Sequence, residues 1–316
     1  DSGTEFWKLT MKKVLVVHYS QSGQLDSVVK EFTRPLVESD DISVTFENIK
    51  PVEDFPFPWP FFKFLDTFPE CVYQDAPPIQ EPTVSGDEDF DLIILAYQVW
   101  FLSPALPMTA FLQHPVARSL LNDKPVVTLI ACRNMWLLAQ EDMKAKLDEL
   151  NAHLVGNVAM VDEAGSILSL FATPLWVLTG HKGPFLGGLI PRAGVAEKDI
   201  RASERFGRRI RDRFRFKGEV SPDMFRGLSA VHVNEGLISS EKTAKRAFRL
   251  WGRLLRTLGP HGAWQRKPVL AFYSVFLILM IVTVVPAGML IKRLLAPLTR
   301  QRIAQQKAYY SAPSGE

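Results

Sequence analysis

Five short apolar runs recur along the first half of the chain, most of them separated by stretches of helical spacing. Val14 to Val17 is continuous and apolar, the pattern of a strand buried on both faces. Leu25, Val28, Val29 and Phe32 follow at helical intervals. Ile42, Val44 and Phe46 alternate with polar residues, as in a strand buried on one side. Asp91 to Tyr97 and Pro125 to Cys132 are two further buried strands, and His153 to Val161 is the fifth. Helices are predicted from about Pro107, over Leu137 to Leu150, and from Ala196 to about Phe216. Strands alternating with helices predict an α/β domain with a parallel sheet covered on both faces.

Two stretches break this pattern. Residues 51–82 hold eight prolines together with Phe55, Phe57, Trp59, Phe61, Phe62, Phe64 and Phe68. Proline at that density excludes a long helix or a central strand. The aromatics mark an ordered connection, either capping the sheet edge or forming an apolar wall for a greasy substrate. Gly165 to Ile190 is apolar and reads as loop-rich.

The pattern changes again towards the C-terminus. Over residues 238–258, Ala244, Ala247, Phe248, Trp251, Leu254, Leu255 and Leu258 project on one side of a helix. Lys242, Lys245, Arg246, Arg249, Arg253 and Arg256 project on the other. Such a helix suits an anionic membrane surface, or packs its apolar side on the protein's own core. Nucleic acid is disfavoured as a partner, because the aromatics do not lie among the arginines as stacking platforms would. Pro268 to Ile291 then runs for 24 residues without a charge, between Arg266-Lys267 and Lys292-Arg293. That is long enough to span a bilayer. Both flanks are basic, so the charge rule gives no orientation, and Pro286-Ala287-Gly288 is a place for a kink or a turn back.

Composition adds bounds. In 316 residues, 47% are hydrophobic, enough for a full core, and the net charge of +3 hides a strongly basic C-terminal third. Cys71 and Cys132 form no C-x-x-C pair, so no metal site is indicated. With no apolar signal segment at the N-terminus, the expected location is the inner (cytoplasmic) membrane with the large domain facing the cytoplasm. Residues 1–10 precede Met11 and carry Gly3-Thr4-Glu5-Phe6 and Lys8-Leu9, as translated cloning sites do; they read as a vector-derived or disordered leader. The expected organisation is a domain over 11–217, a linker over 218–237, an amphipathic helix over 238–260, a transmembrane helix over 268–291 and a basic tail over 292–316.

Candidate chemistry begins where the first strand ends. Ser20, Gln21, Ser22 and Gly23, running into Gln24 and Leu25, place two hydroxyls, a glycine and a helix N-terminus together, a combination that holds a phosphate. The turn lacks the lysine of a P-loop and the glycines of a dinucleotide fingerprint. It resembles the flavodoxin phosphate loop, which binds the terminal phosphate of FMN; Leu25 stands where that loop has its last hydroxyl. This resemblance implies a flavodoxin-like, doubly wound sheet of five parallel strands in the order 2-1-3-4-5, with the ligand crevice between this turn and the loop after Tyr97. In that loop Gln98, Val99, Trp100 and Phe101 would meet the flavin, with Trp100 stacking on it. Cys132, Arg133 and Asn134 would cover its pyrimidine side, and Arg133 would stabilise the anionic reduced ring. Tyr97 and His18, at strand ends, are candidate bases.

The whole set is more specific. Val17 to Gln24, Phe57-Pro-Trp-Pro-Phe-Phe62, Ala96 to Pro104, Ile130 to Trp136 and the C-terminal apolar segment together resemble the bacterial dialkylresorcinol-condensing enzyme family. The resemblance implies an FMN oxidoreductase that aromatises a cyclohexanedione made by a partner ketosynthase, with Ser20, Ser22, Gly23, Gln98, Trp100 and Arg133 at the flavin. The substrate would be a hydrophobic small molecule. Two other readings are an NAD(P)H:quinone-type flavin reductase and a non-catalytic flavoprotein that docks a ketosynthase at the membrane.

Overall fold

The computed structural model describes residues 11–162 and 169–315. The leader and residues 165–168 of the second apolar stretch lie outside the described residues. The strands are β1 (Lys12–His18), β2 (Ile42–Asn48), β3 (Leu92–Trp100), β4 (Ser103–Pro104), β5 (Pro125–Cys132) and β6 (His153–Val161). The helices are α1 (Gln24–Val37), α2 (Phe61–Asp66), α3 (Phe68–Tyr73), α4 (Leu106–Gln113), α5 (Pro115–Leu121), α6 (Leu137–Glu149), α7 (Ser169–Thr179), α8 (Glu197–Ala202), α9 (Glu204–Lys217), α10 (Glu235–Thr257) and α11 (Arg266–Ser311).

Five strands form a parallel sheet in the order β2-β1-β3-β5-β6, and β4 folds back antiparallel on the end of β3. Counting the long strands alone, this is 2-1-3-4-5, the flavodoxin-like doubly wound arrangement. Strand alternation divides the core in two. Leu15, Val17, Ile93, Leu95 and Tyr97 face Phe111, Leu120, Met143 and Ile238 on one side. Val14, Val16, Leu92, Ile94 and Ala96 face Leu25, Phe32, Phe206 and Ile210 on the other. Both sides are apolar because helices cover both, hence the continuous runs in the sequence.

Several expectations change. The proline-rich insert contains the short helices α2 and α3, and the described part of the second apolar stretch contains α7. Residues 218–237 are no free linker: Met224 and Phe225 are fully buried, with the Phe225 ring 5.4 Å from Phe206. The basic helix is packed on the protein itself: Phe248 and Trp251 lie against Phe68 and Tyr273, with Leu255 and Leu270 buried beside them. Its faces are not cleanly divided either, because Lys245 is buried.

α11 begins by anchoring to that insert. The Arg266 guanidinium, 1% exposed, donates to Asp66 and Glu70 and to the Gly259 carbonyl. Arg266→Ala would leave two carboxylates half-paired in a dry site. The expected cost is about 3–5 kcal/mol, read from the urea midpoint of the full-length protein.

Candidate functional site

The C-terminal ends of β1, β3 and β5 are neighbours in the sheet, so the three loops singled out in the sequence converge on one edge. At the centre is the turn into α1. Gly23 takes φ 78 as the residue before the helix, and no side chain caps the helix N-terminus. The Ser20 hydroxyl oxygen is buried without a hydrogen-bond partner. Gln21 donates to the Pro56 carbonyl at 2.9 Å, tying the turn to the proline-rich insert. Ser22 lines a cleft of about 660 Å³ together with Phe57, Trp176, His181, Lys182 and Arg192.

Those cations were not found in the sequence, although Gly180-His-Lys-Gly-Pro184 and Pro191-Arg192 carry a signal: charges in a glycine- and proline-rich loop. Burial, with Arg192 nearby, draws the Lys182 ammonium below its ordinary range; its Nζ sits 5.0 Å from the Trp176 ring. The loop is held to α1 by Gln24, whose side chain accepts from Val195 N and donates to Val195 O. Gln24, expected beside a ligand, is thus a buried strut. A Cβ on Gly194 would come within 2.6 Å of the Gln24 amide, and at φ +93 any other residue is strained, so a substitution here would displace Gln24 from Val195. Leu25 has its side chain in the core and can offer only its backbone N–H.

On β3, the Trp100 ring lies 5.0 Å from Phe55, 5.5 Å from Trp59 and 6.2 Å from Tyr19, each edge-on. The insert therefore builds an aromatic wall around it. Gln98 continues the strand pairing, and its carbonyl accepts from Ala105 N; the backbone of Val99 pairs with Pro104. Phe101, expected at the ligand, points instead into a cluster with Phe64, Phe68 and Phe248. Phe101 and Leu102 both have positive φ, 49 and 60, which suits a tight hairpin but strains residues other than glycine. The Lys245 ammonium holds this turn: it donates to the Leu102 carbonyl, the Ser103 hydroxyl and Asp142 at 2.6–2.7 Å.

On β5, Arg133 is half-buried and donates to Met135 Sδ at 3.2 Å. Burial lowers its pKa to about 10, against the pull of Asp162, Cys132 and Glu241. The cation expected from the sequence is thus partly balanced. Burial also pushes the Cys132 thiol far above its usual range, so it is no nucleophile. The Asn134 side-chain oxygen is buried without a partner. Glu241, 1% exposed, accepts from Leu138 N at the start of α6, and burial raises its pKa to about 7.

The two candidate bases are not brought together. Tyr97 is buried in the core below the loop, and its hydroxyl donates to Gln140, which continues to Thr128 and Asn157. Burial pushes that phenol well above its ordinary range. His18 lies on the opposite face of the sheet, paired to Asp26 at 3.1 Å, and burial lowers its pKa. Both side chains are buried, and each is engaged by a partner within the protein.

No protein-family description matches the chain, and no curated protein matches it. Solved structures do. A flavoprotein from Lactobacillus acidophilus, crystallised in complex with FMN, is 19% identical, with 47% of this chain and 93% of that chain covered at a TM-score of 0.36. A putative flavoprotein from Bacteroides uniformis is 15% identical, with 48% and 90% covered and a TM-score of 0.35. A flavodoxin from an archaeon is 14% identical, with 64% and 99% covered and a TM-score of 0.35. The fold assignment rests on the strand order and not on these likenesses.

Two outcomes check the geometry. Tyr97→Phe is expected to cost about 1–2 kcal/mol in denaturant unfolding while leaving ligand binding at the α1 turn unchanged; a loss of binding would return Tyr97 to the site. Glu241 binds its proton more tightly folded than unfolded, so stability falls as pH rises from its unfolded value near 4.5 towards 7. The fall is on the order of 3 kcal/mol, and Glu241→Gln should flatten it in thermal melts across that window.

Proposed function

We propose that this chain is a membrane-associated, FMN-dependent oxidoreductase that aromatises a hydrophobic 1,3-cyclohexanedione to a dialkylresorcinol, the ring being supplied by a partner ketosynthase. One observation carries the reading: the turn that holds the buried, partnerless Ser20 hydroxyl leads into an uncapped helix N-terminus and, through Ser22, lines a cleft with Lys182 and Arg192. A phosphomonoester fits this donor set, since it accepts from backbone amides and hydroxyls and is neutralised by cations. The residues that would hold FMN are Ser20, Ser22 and the first amides of α1 for the phosphate, with Lys182 and Arg192 balancing its charge. Trp100 and the hairpin that carries it would orient the ring.

Bound FMN supplies a two-electron acceptor for dehydrogenation of the substrate ring. The chain's own work is then positioning and exclusion of water. Tyr19, Phe55, Trp59 and Trp100 form an apolar wall for the ring and its alkyl tails. Arg133, with its charge partly offset, favours the more anionic form of whatever lies against the β5 loop. A 1,3-dione has an acidic C–H and enolises without a strong base, so the placement of Tyr97 and His18 away from the site costs the mechanism nothing.

Anaerobic mixing of flavin-loaded protein with a synthetic dialkyl-cyclohexanedione should bleach the oxidised-flavin absorbance and yield one resorcinol per chain. Trp100→Ala should slow that bleaching by about 100-fold, and Ser22→Asp should prevent flavin loading by placing a carboxylate against the phosphate. If the dione leaves the spectrum unchanged while NADPH bleaches it and a quinone restores it, the quinone-reductase reading replaces this one.

A further inference from the structure

α11 is the one helix among the described residues long and apolar enough to cross a membrane. Its two ends, however, dock on the same α/β body. At its start Arg266 pairs with Asp66 and Glu70, and the rings of Tyr273 and Phe276 lie 5.1 and 5.3 Å from Trp251. At its end Tyr309 donates to Glu141 at 2.7 Å, and Lys307 pairs with Glu235 at 3.1 Å. The Lys242 Nζ stands 5.6 Å from the Tyr310 ring, and the Ser314 hydroxyl accepts from Asn157 N in β6.

These contacts bound the shape of the helix. A straight helix from Tyr273 to Tyr310 would be about 56 Å long. The Trp251–Tyr273 and Lys242–Tyr310 contacts, joined by the α10 rise between residues 242 and 251, allow at most about 45 Å between those two Cα atoms. α11 is therefore bent, and Pro286 and Pro297 lie inside it where a bend needs a cause. Between its docked ends the helix leaves the body and returns, with Val275, Ile278, Leu279, Val282, Ile291 and Leu298 each about half or more exposed.

We propose that α11 dips into one leaflet of an anionic bilayer and returns, so that the C-terminal segment stays on the same side as the α/β domain. From Tyr273 to Pro286 is about 20 Å of helix, enough when tilted to reach the middle of the roughly 30 Å hydrocarbon core and too short to cross it. A helix keeps its backbone groups paired there, as the hydrocarbon requires. The rim fits a headgroup layer: Trp264 is 72% exposed, Lys267 stands exposed at the start of the charge-free stretch, Lys292-Arg293 close it in the sequence, and Arg300 and Arg302 are exposed further on. A full span would instead place a bilayer between Tyr309 and Glu141 and break every contact at the C-terminal end.

The test uses full-length protein in sealed membrane vesicles, with Glu53→Cys reporting on the domain and Gln305→Cys on the segment after the apolar stretch. Both positions are exposed. A membrane-impermeant maleimide, scored against the unsubstituted chain, should label both in vesicles with the domain outward and neither in vesicles of the opposite orientation. The protein should resist carbonate extraction, and Ile278→Asp with Val282→Asp should lower the membrane-bound share more than tenfold while the circular dichroism of the domain is kept. Labelling of the two positions from opposite sides would establish a span and overturn the proposal. Release by carbonate would overturn it too.

Discussion

The contact on which the upper part of the structure depends is the buried ammonium of Lys245. One cation satisfies the Leu102 carbonyl, the Ser103 hydroxyl and the Asp142 carboxylate at once. Burial lowers the pKa of this ammonium, and Asp142 opposes that shift. Through these bonds α10 is fixed to α6, and the strained Phe101-Leu102 turn is held where its geometry would otherwise relax. The turn in turn sets Trp100 at the end of β3. Removing one partner from such a group strands the others without compensation, so the aromatic wall and the docking of α10 stand or fall together.

From that clamp the edge of the sheet divides into two environments. Beside α1 the cleft is lined by Lys182 and Arg192, and the carboxylate in the first turn of α1, Asp26, is paired with His18. Beside β5 the edge is a compact set of opposed charges, in which Arg133 lies among Asp162 and Glu241. The first suits a dianionic group that arrives from solvent; the second suits small changes of charge in a dry place. The aromatic insert is pinned at two points near its start, by Gln21 donating to the Pro56 carbonyl and by Trp59 N donating to the Val177 carbonyl of α7.

The sheet was legible because its central strands β1, β3 and β5 are buried on both faces, and burial of that kind writes a continuous apolar run into the chain. The phosphate-type turn was legible for a similar reason: hydroxyls and glycine between a strand and a helix have a local geometry. Tyr97 shows where adjacency misleads. It shares parity with Ile93 and Leu95, so in a doubly covered sheet its ring had to enter the core. Gln24 misled likewise, because what it binds, Val195, is far away in sequence. Lys245 was invisible to a helical projection, which sorts residues by charge and cannot know that a carbonyl, a hydroxyl and a carboxylate wait on the apolar side. The cations of the 180–192 loop escaped because no periodicity marks them. Residues 218–234 form no helix or strand, so no period marks Met224 and Phe225 as closing the core.

The central claim is that the α1 turn recognises a phosphate attached to a flavin. The most direct measurement is a pair of titrations of the purified full-length protein, one with FMN and one with riboflavin, followed by quenching of flavin fluorescence. The account predicts one FMN per chain and binding of riboflavin weaker by about 100-fold, a difference near 3 kcal/mol for losing the charged hydrogen bonds to the phosphate. Equal affinity for the two flavins, or no binding of either, would contradict it.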